Sequence, residues 1–574
     1  MTIGTKDIFR QIYLWTLILI AVALPLSKYF MSVGSFLLLA LWLWSDFQII
    51  VAVRFFKQKG FFRGFFILVK YLWALAKESS VEKTKIFLHN KAAVVFASVF
   101  LLSIAGLLFT ANFDHATNVL RIKLPLILFP IVFSSSEKID SRGFRKLMLF
   151  YFAALLAGTL IGSYKLFTGN YINVREFSPF ISPVRFGLNI SFGILSLGYF
   201  VIKDRSFSRK QKLFLSMLIV WFVWFLIKME SVTSLSLLLI IALGILVYIG
   251  FQTKKLWPRT AIVLVVILIP AGSYFYLKKE ITHMTHVPAV ALKNPVRHTP
   301  LGNIYVFDTI NYGIEDGRYV GAYLCIPELK QAWNKRSSIK FNGTDKKGSP
   351  IKYTLIRYMT SKNLHKDAAG VSQLTGKDIE NVEHGIANFQ YVAHPGLHSR
   401  LLMMVKGWQV YRKTGNAGGS SALQRYEFLR AAVILIRQNF WTGVGTGDLI
   451  ETLGEQYRLM HSGMEKYYGF IAHNEYVDTF VAFGVFGFLY FLFALVYPPL
   501  KTHSFNDYFF VIFYAIMLLS MLSDDTLETH AGLTLFAFFL SLLMFGKKKD
   551  THGKFLSHDF EKQHSSFELR KNKS

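Results

Sequence analysis

Apolar residues along this chain gather in runs of roughly 16 to 25, the length a helix needs to cross a bilayer core of about 30 Å. The runs predict spans at 12–26, 30–44, 92–110, 119–133, 147–167, 186–202, 213–227, 235–251 and 261–277. A long polar stretch follows, and three further runs fall at 475–496, 508–522 and 531–545. The expected fold class is therefore membrane all-α, about twelve transmembrane helices with a large mixed α/β insertion between spans nine and ten.

Composition supports that solvent: 53% of the residues are hydrophobic, mean hydropathy is +0.37 and phenylalanine occurs 55 times. The first run lacks a small-residue cleavage site and a second follows at once, so no cleavable leader is expected. Orientation comes from Lys and Arg in short loops, which favour the cytoplasm. Arg54, Lys57, Lys59, Arg63, Lys70 and Lys77 mark one such connection, Lys138 to Lys146 a second, and Lys203 to Lys212 a third. Lys254, Lys255 and Arg259 mark a fourth, and the tail from Lys547 shares their side. Twelve spans then leave both termini cytoplasmic. The expected division is 1–277 as the first part of the bundle, 278–424 as a periplasmic insertion, 425–546 as a signature segment with the last three spans, and 547–574 as a basic tail.

The net charge of +29 does not require nucleic acid. Topology and anionic membrane lipids account for the cytoplasmic excess, whereas basic residues outside fit phosphorylated lipids or an ordinary solvated surface. Cys325, the single cysteine, cannot form an internal disulfide, and no HExxH spacing occurs, so neither metal nor cofactor is expected. Within the insertion, residues 301–308 and 351–358 are β-branched and aromatic. They read as strands, with 342–348 as the turn of a hairpin over 338–358. Thr375, three residues before Asp378, is placed to cap a helix through Ile386.

After the 415–421 linker, Leu429, Ala432, Val433, Ile436 and Phe440 follow helical spacing, with Arg430 and Arg437 on another face. This reads as a helix at the membrane surface, its arginines either meeting phosphates or snorkelling. Gly443-Val-Gly445-Thr-Gly447 lacks the Lys-Ser or Lys-Thr of a nucleotide loop and reads as a sharp turn. His473 stands where the chain re-enters the membrane, with Asn474 beside it and Asp478 one turn on. It is either a polar anchor or a group able to exchange protons near neutral pH.

These residues carry a resemblance. Arg425-Tyr-Glu-Phe-Leu-Arg430 through Asn439, Gly443 to Asp448, His473-Asn-Glu-Tyr476 and Phe483-Gly-Val-Phe-Gly487 are similar to the signature of the O-antigen ligase and polymerase family. The resemblance implies a bacterial inner-membrane, multi-pass glycosyltransferase whose active site faces the periplasm. It implies transfer of a glycan from undecaprenyl pyrophosphate to lipid A-core without nucleotide or metal. Alternatives are an O-antigen polymerase or protein O-oligosaccharyltransferase with the same donor, and, from another class, a lipid-linked sugar transporter. The family's histidine maps onto His473 as base, and its arginines onto Arg425 and Arg185.

A departing pyrophosphate also calls for cations on chemical grounds, and Arg430, Arg121 and Lys123 join the candidates. Asn474, Asp478, Asp524 and Asp525 are candidate supports, the acidic cluster 524–530 serving either to contact sugar hydroxyls or to hold the basic external helix. One position departs from the family pattern: Glu230-Ser-Val-Thr-Ser234 stands where a Ser-Arg pair is common.

Overall fold

A computed structural model describes residues 5–45, 61–168, 174–286, 295–393, 397–418, 420–460 and 469–548. Within them, nine helices are long and apolar enough to cross a membrane, and each lies at a predicted span. Three shorter apolar helices, Lys28–Leu43, Tyr508–Ser520 and His530–Gly546, occupy the remaining predicted runs. The chain forms two compact units, one of Met1–Tyr248 with Arg425–Ser574 and one of Ile249–Gln424.

In the first unit, phenylalanines fill the core. Tyr151 is fully buried among Phe152, Phe192 and Phe539, and its hydroxyl donates to the carbonyl (3.0 Å) and side-chain oxygen (2.9 Å) of Asn189. That bonding satisfies the phenol inside an apolar core. Asn189 in turn donates to the carbonyl of Arg185 one helical turn back, at 2.8 Å. The Pro183–Ile202 helix is thus fixed from its side as well as by its Ser182 cap.

Two expectations change here. The basic segment read as a cytoplasmic loop contains a helix, Phe61–His89, which packs against Lys28–Leu43, Lys91–Ala105 and Pro125–Ser135. Its basic residues interrupt an otherwise apolar run, which hid the helical period. The fourth span divides at Leu124 into Phe113–Lys123 and Pro125–Ser135, because Pro125 has no N–H to continue the ladder.

The helix Glu475–Lys501 is broken at Gly484, whose φ is 63°. The glycine loop fits into this break: Val444 and Gly445 donate to the carbonyls of Val481 and Ala482, and Val485 donates to that of Phe440, all at 2.8–2.9 Å. Thr446 N–H reaches the Gly106 carbonyl and Gly447 N–H the Thr110 hydroxyl. Asp448 accepts from the backbone of Ala111 and Asn112. Non-helical backbone in an apolar setting must be paired internally, and these bonds do that. The loop's N–H groups are consequently spent on protein, which agrees with a turn and not an anion cradle. A Cβ at Gly484 would stand 2.3 Å from the Trp441 carbonyl oxygen. Gly484→Ala is therefore expected to destabilise the bundle by about 2 kcal/mol or more, seen as a lower thermal midpoint in detergent. An unchanged midpoint would show that the break tolerates a side chain.

The second unit is mixed in content. Val306–Asp308 pairs antiparallel with Gly321–Leu324, and Ile314–Glu315 with Arg318–Tyr319. Its core gathers Leu329, Trp333, Leu355, Tyr358, Met359 and Val371. Glu315 is buried against Arg357 through two bonds of 2.7 and 3.0 Å, and buried Cys325 is free. Thr375 and Asp378 form the expected capping box on Gly376–Glu383.

The predicted strand at 351–358 is instead the helix Ile351–Ser361. Ile351, Thr354, Leu355, Tyr358 and Met359 are buried at helical spacing, and that period outweighs their β-branched and aromatic character. The expected 338–358 hairpin shrinks to one bridge between Thr344 and Pro350, closed by the turn at Gly348. Of 301–308, only Val306–Asp308 is a strand.

Candidate functional site

The first unit carries a concentration of ionisable groups where helices begin and end. Asn474 caps Glu475–Lys501 by accepting from Val477 N–H, and its amide donates to the Leu522 carbonyl at 3.0 Å. His473, just before this cap, has a φ of 51°, the left-handed region that few residues other than glycine adopt. Asp478 accepts from Ala472 N–H at 2.9 Å. Asn474 and Asp478 thus fix the backbone on both sides of His473.

His473 Nδ1 lies 3.2 Å from Asp525 Oδ1. Asp525 belongs to the link between Tyr508–Ser520 and His530–Ser541 and is held by Arg185. The Arg185 guanidinium donates to the Asp525 carbonyl oxygen (2.7 Å) and carboxylate (3.0 Å), and lies 2.9 Å from the Asp524 carboxylate. Arg185 Nε has no partner among the described residues. Burial works against ionisation of Asp525, but the His473 hydrogen bond and the Arg185 charge outweigh it and hold its carboxyl well below the usual range. Burial, opposed by Arg185 and reinforced by Asp525, pushes Asp524 up to about 7. The two carboxyls are thus pushed in opposite directions, Asp525 toward the ionised form facing His473 and Asp524 toward the protonated form by its burial.

A second set of contacts anchors the same link from other directions. Lys123 Nζ pairs with Glu528 at 2.8 Å, and buried Glu475 accepts from Leu527 N–H at 2.8 Å. Phe428 and Phe470 stack on one another, with ring centroids 5.7 and 6.0 Å from that of His473. Their apolar faces limit the directions from which His473 is reached.

Of the residues singled out in the sequence, His473, Arg185, Asp524 and Asp525 meet directly, while Asn474 and Asp478 support the first. Lys123 joins through Glu528. Arg425 lies one helical turn before Phe428 on Ser421–Gln438, partly exposed and without an ion pair among the described residues. Arg430 is exposed and lies 3.6 Å from Glu427 on its own helix. The buried face of that helix is Glu427, Phe428, Ala431, Ala432 and Leu435, so the expected stripe through Val433 is displaced and Val433 is exposed. Arg121 is exposed in the last turn of Phe113–Lys123. Glu475, Phe428 and Phe470 were missed: a lone carboxylate opening an apolar helix, and two aromatics among many, carry no signal of their own.

His473, Asp524 and Asp525 each place a ligand atom within 4.8 Å of the others. Arg185 already supplies positive charge to both carboxylates, the neutralisation that a cation would otherwise bring.

An apolar many-helix unit is the mark of a multi-pass membrane protein, and this one carries a His–Asp–Arg cluster where its helices begin and end. Residues 375–492, about one fifth of the chain, match the O-antigen ligase family model, so this segment is similar to that family. The segment includes Arg425, Arg430, His473, Asn474 and Asp478, while Lys123, Arg185, Asp524 and Asp525 lie outside it. Lipid-linked glycans within a membrane are the substrates that the family implies. No curated protein matches the chain.

Proposed function

We propose that this protein is an O-antigen ligase, transferring a glycan from undecaprenyl pyrophosphate to lipid A-core at the periplasmic face of the bacterial inner membrane. The observation that carries the proposal is His473 Nδ1 against Asp525, within a chain that matches the family. A carboxylate at Nδ1 keeps the ring proton there and leaves Nε2 free to accept one. In the proposed reaction Nε2 takes the proton of an acceptor hydroxyl as its oxygen attacks the anomeric carbon. The bond from that carbon to the phosphate oxygen breaks, and the electron pair leaves with undecaprenyl pyrophosphate. Cations at this end of the bundle, Arg425 and Arg121 among them, neutralise the leaving charge. The proposal includes twelve spans, cytoplasmic termini, the 278–424 insertion in the periplasm, and chemistry without metal.

Polymerase and protein O-oligosaccharyltransferase readings use the same donor and differ in acceptor. The test is reconstitution of the purified protein with donor and each acceptor separately. Product on lipid A-core supports ligase, glycan extension or glycoprotein supports one of the alternatives, and transfer to none removes the enzyme reading.

A further inference from the structure

Arg185 and Lys123, the two buried cations of this site, are committed to carboxylates. A phosphate meeting either one must first displace Asp524, Asp525 or Glu528. Uncommitted positive groups occur elsewhere around the same link. The helices Lys28–Leu43 and Phe113–Lys123 both pack against His530–Ser541. Their packing brings together Lys28, at the first position of one helix, Arg121, in the last turn of another, and His530, at the first position of the third.

His530 Nε2 lies 3.4 Å from Ser32 Oγ, one turn after Lys28, and the charges of Lys28 and Arg121 both act on its ring. Lys28 and Arg121 are exposed, and neither forms an ion pair among the described residues. Like charges brought together without counter-charge repel one another, and an anion relieves that repulsion. His530 stands five positions after Asp525, which caps their distance at about 17 Å. The turn Thr526–Glu528 shortens it further.

We propose that Lys28, Arg121 and His530, with the Ser32 hydroxyl, form the subsite that holds a lipid-borne phosphate or pyrophosphate, whereas Arg185 and Lys123 position the carboxylates beside His473. The proposal rests on the transferase reading only for the identity of the donor lipid. An anion here lies on the same link as Asp525, no more than about 17 Å along the chain from it, at the end of the bundle where the departing group must be held while His473 works.

The test measures binding and not transfer. Wild-type protein, the Lys28→Ala/Arg121→Ala double variant and Arg121→Lys are placed in phosphatidylcholine nanodiscs containing unglycosylated undecaprenyl pyrophosphate or, separately, phosphatidylglycerol. The double variant is expected to bind undecaprenyl pyrophosphate at least about 10-fold more weakly, with Arg121→Lys keeping most of the affinity. Weakening confined to undecaprenyl pyrophosphate assigns the subsite to the donor, and equal weakening for phosphatidylglycerol assigns it to lipid phosphate in general. Wild-type affinity of the double variant for both lipids would overturn the subsite. Binding without transfer to any acceptor would instead remove the transferase reading and leave the subsite standing.

Discussion

Replacing His473 with alanine is expected to lower glycan transfer by about 100- to 10,000-fold while the protein still accumulates in the membrane. The magnitude follows from removing the group that takes the acceptor proton as the new bond forms. His473 suits that task because Asp525 occupies Nδ1 and the side chain remains 24% exposed, leaving Nε2 approachable. Its left-handed backbone adds an independent sign, since such conformations cost energy and persist where surrounding contacts hold them. That backbone also sets the control: His473→Asn tolerates the left-handed region better than alanine and still lacks a usable base. Both variants should show the same loss in a reconstituted assay with saturating donor. Wild-type turnover in either folded variant would remove His473 from the chemistry.

Asp525→Asn is expected to cost about 100-fold or more, concentrated in kcat with KM for the acceptor little changed. The amide is nearly the same size, so the shape of the site is retained. Oδ1 faces both Nδ1 and the Arg185 guanidinium, so an amide NH2 placed there would donate to Nδ1 and move the ring proton onto Nε2, whereas an amide oxygen there keeps both bonds but loses the carboxylate charge that stabilises the ring once it has taken the acceptor proton. Arg185 would lose one charged partner but keep the Asp525 carbonyl oxygen and Asp524. A fall in KM-dependent terms with kcat preserved would instead give Asp525 a role in substrate contact.

The apolar runs were legible because a membrane requires them at fixed length, and all twelve predicted positions are helical. The Phe61–His89 helix was not, because its lysines imitate a basic loop. Ile351–Ser361 was misread from residue preference when its buried positions already followed a helical period. His473 stands out from its place along the chain and the resemblance it carries, whereas Arg425, singled out in the same way, has no ion pair with the cluster among the described residues. The partnership of His473 with Asp525 spans 52 residues and that of Arg185 with Asp525 spans 340, separations over which sequence pattern carries no distance. For the same reason Asp524 and Asp525 looked alike in sequence, and only Arg185, His473 and burial divide their protonation.

The central claim is a single displacement in which His473 activates the acceptor and no carboxylate attacks the sugar. The anomeric configuration of the product tests it most directly, read by NMR after one round of transfer from a donor of defined configuration. Inversion is the predicted result, whereas retention, or a glycan trapped covalently on Asp524, Asp525 or Glu528, would contradict it.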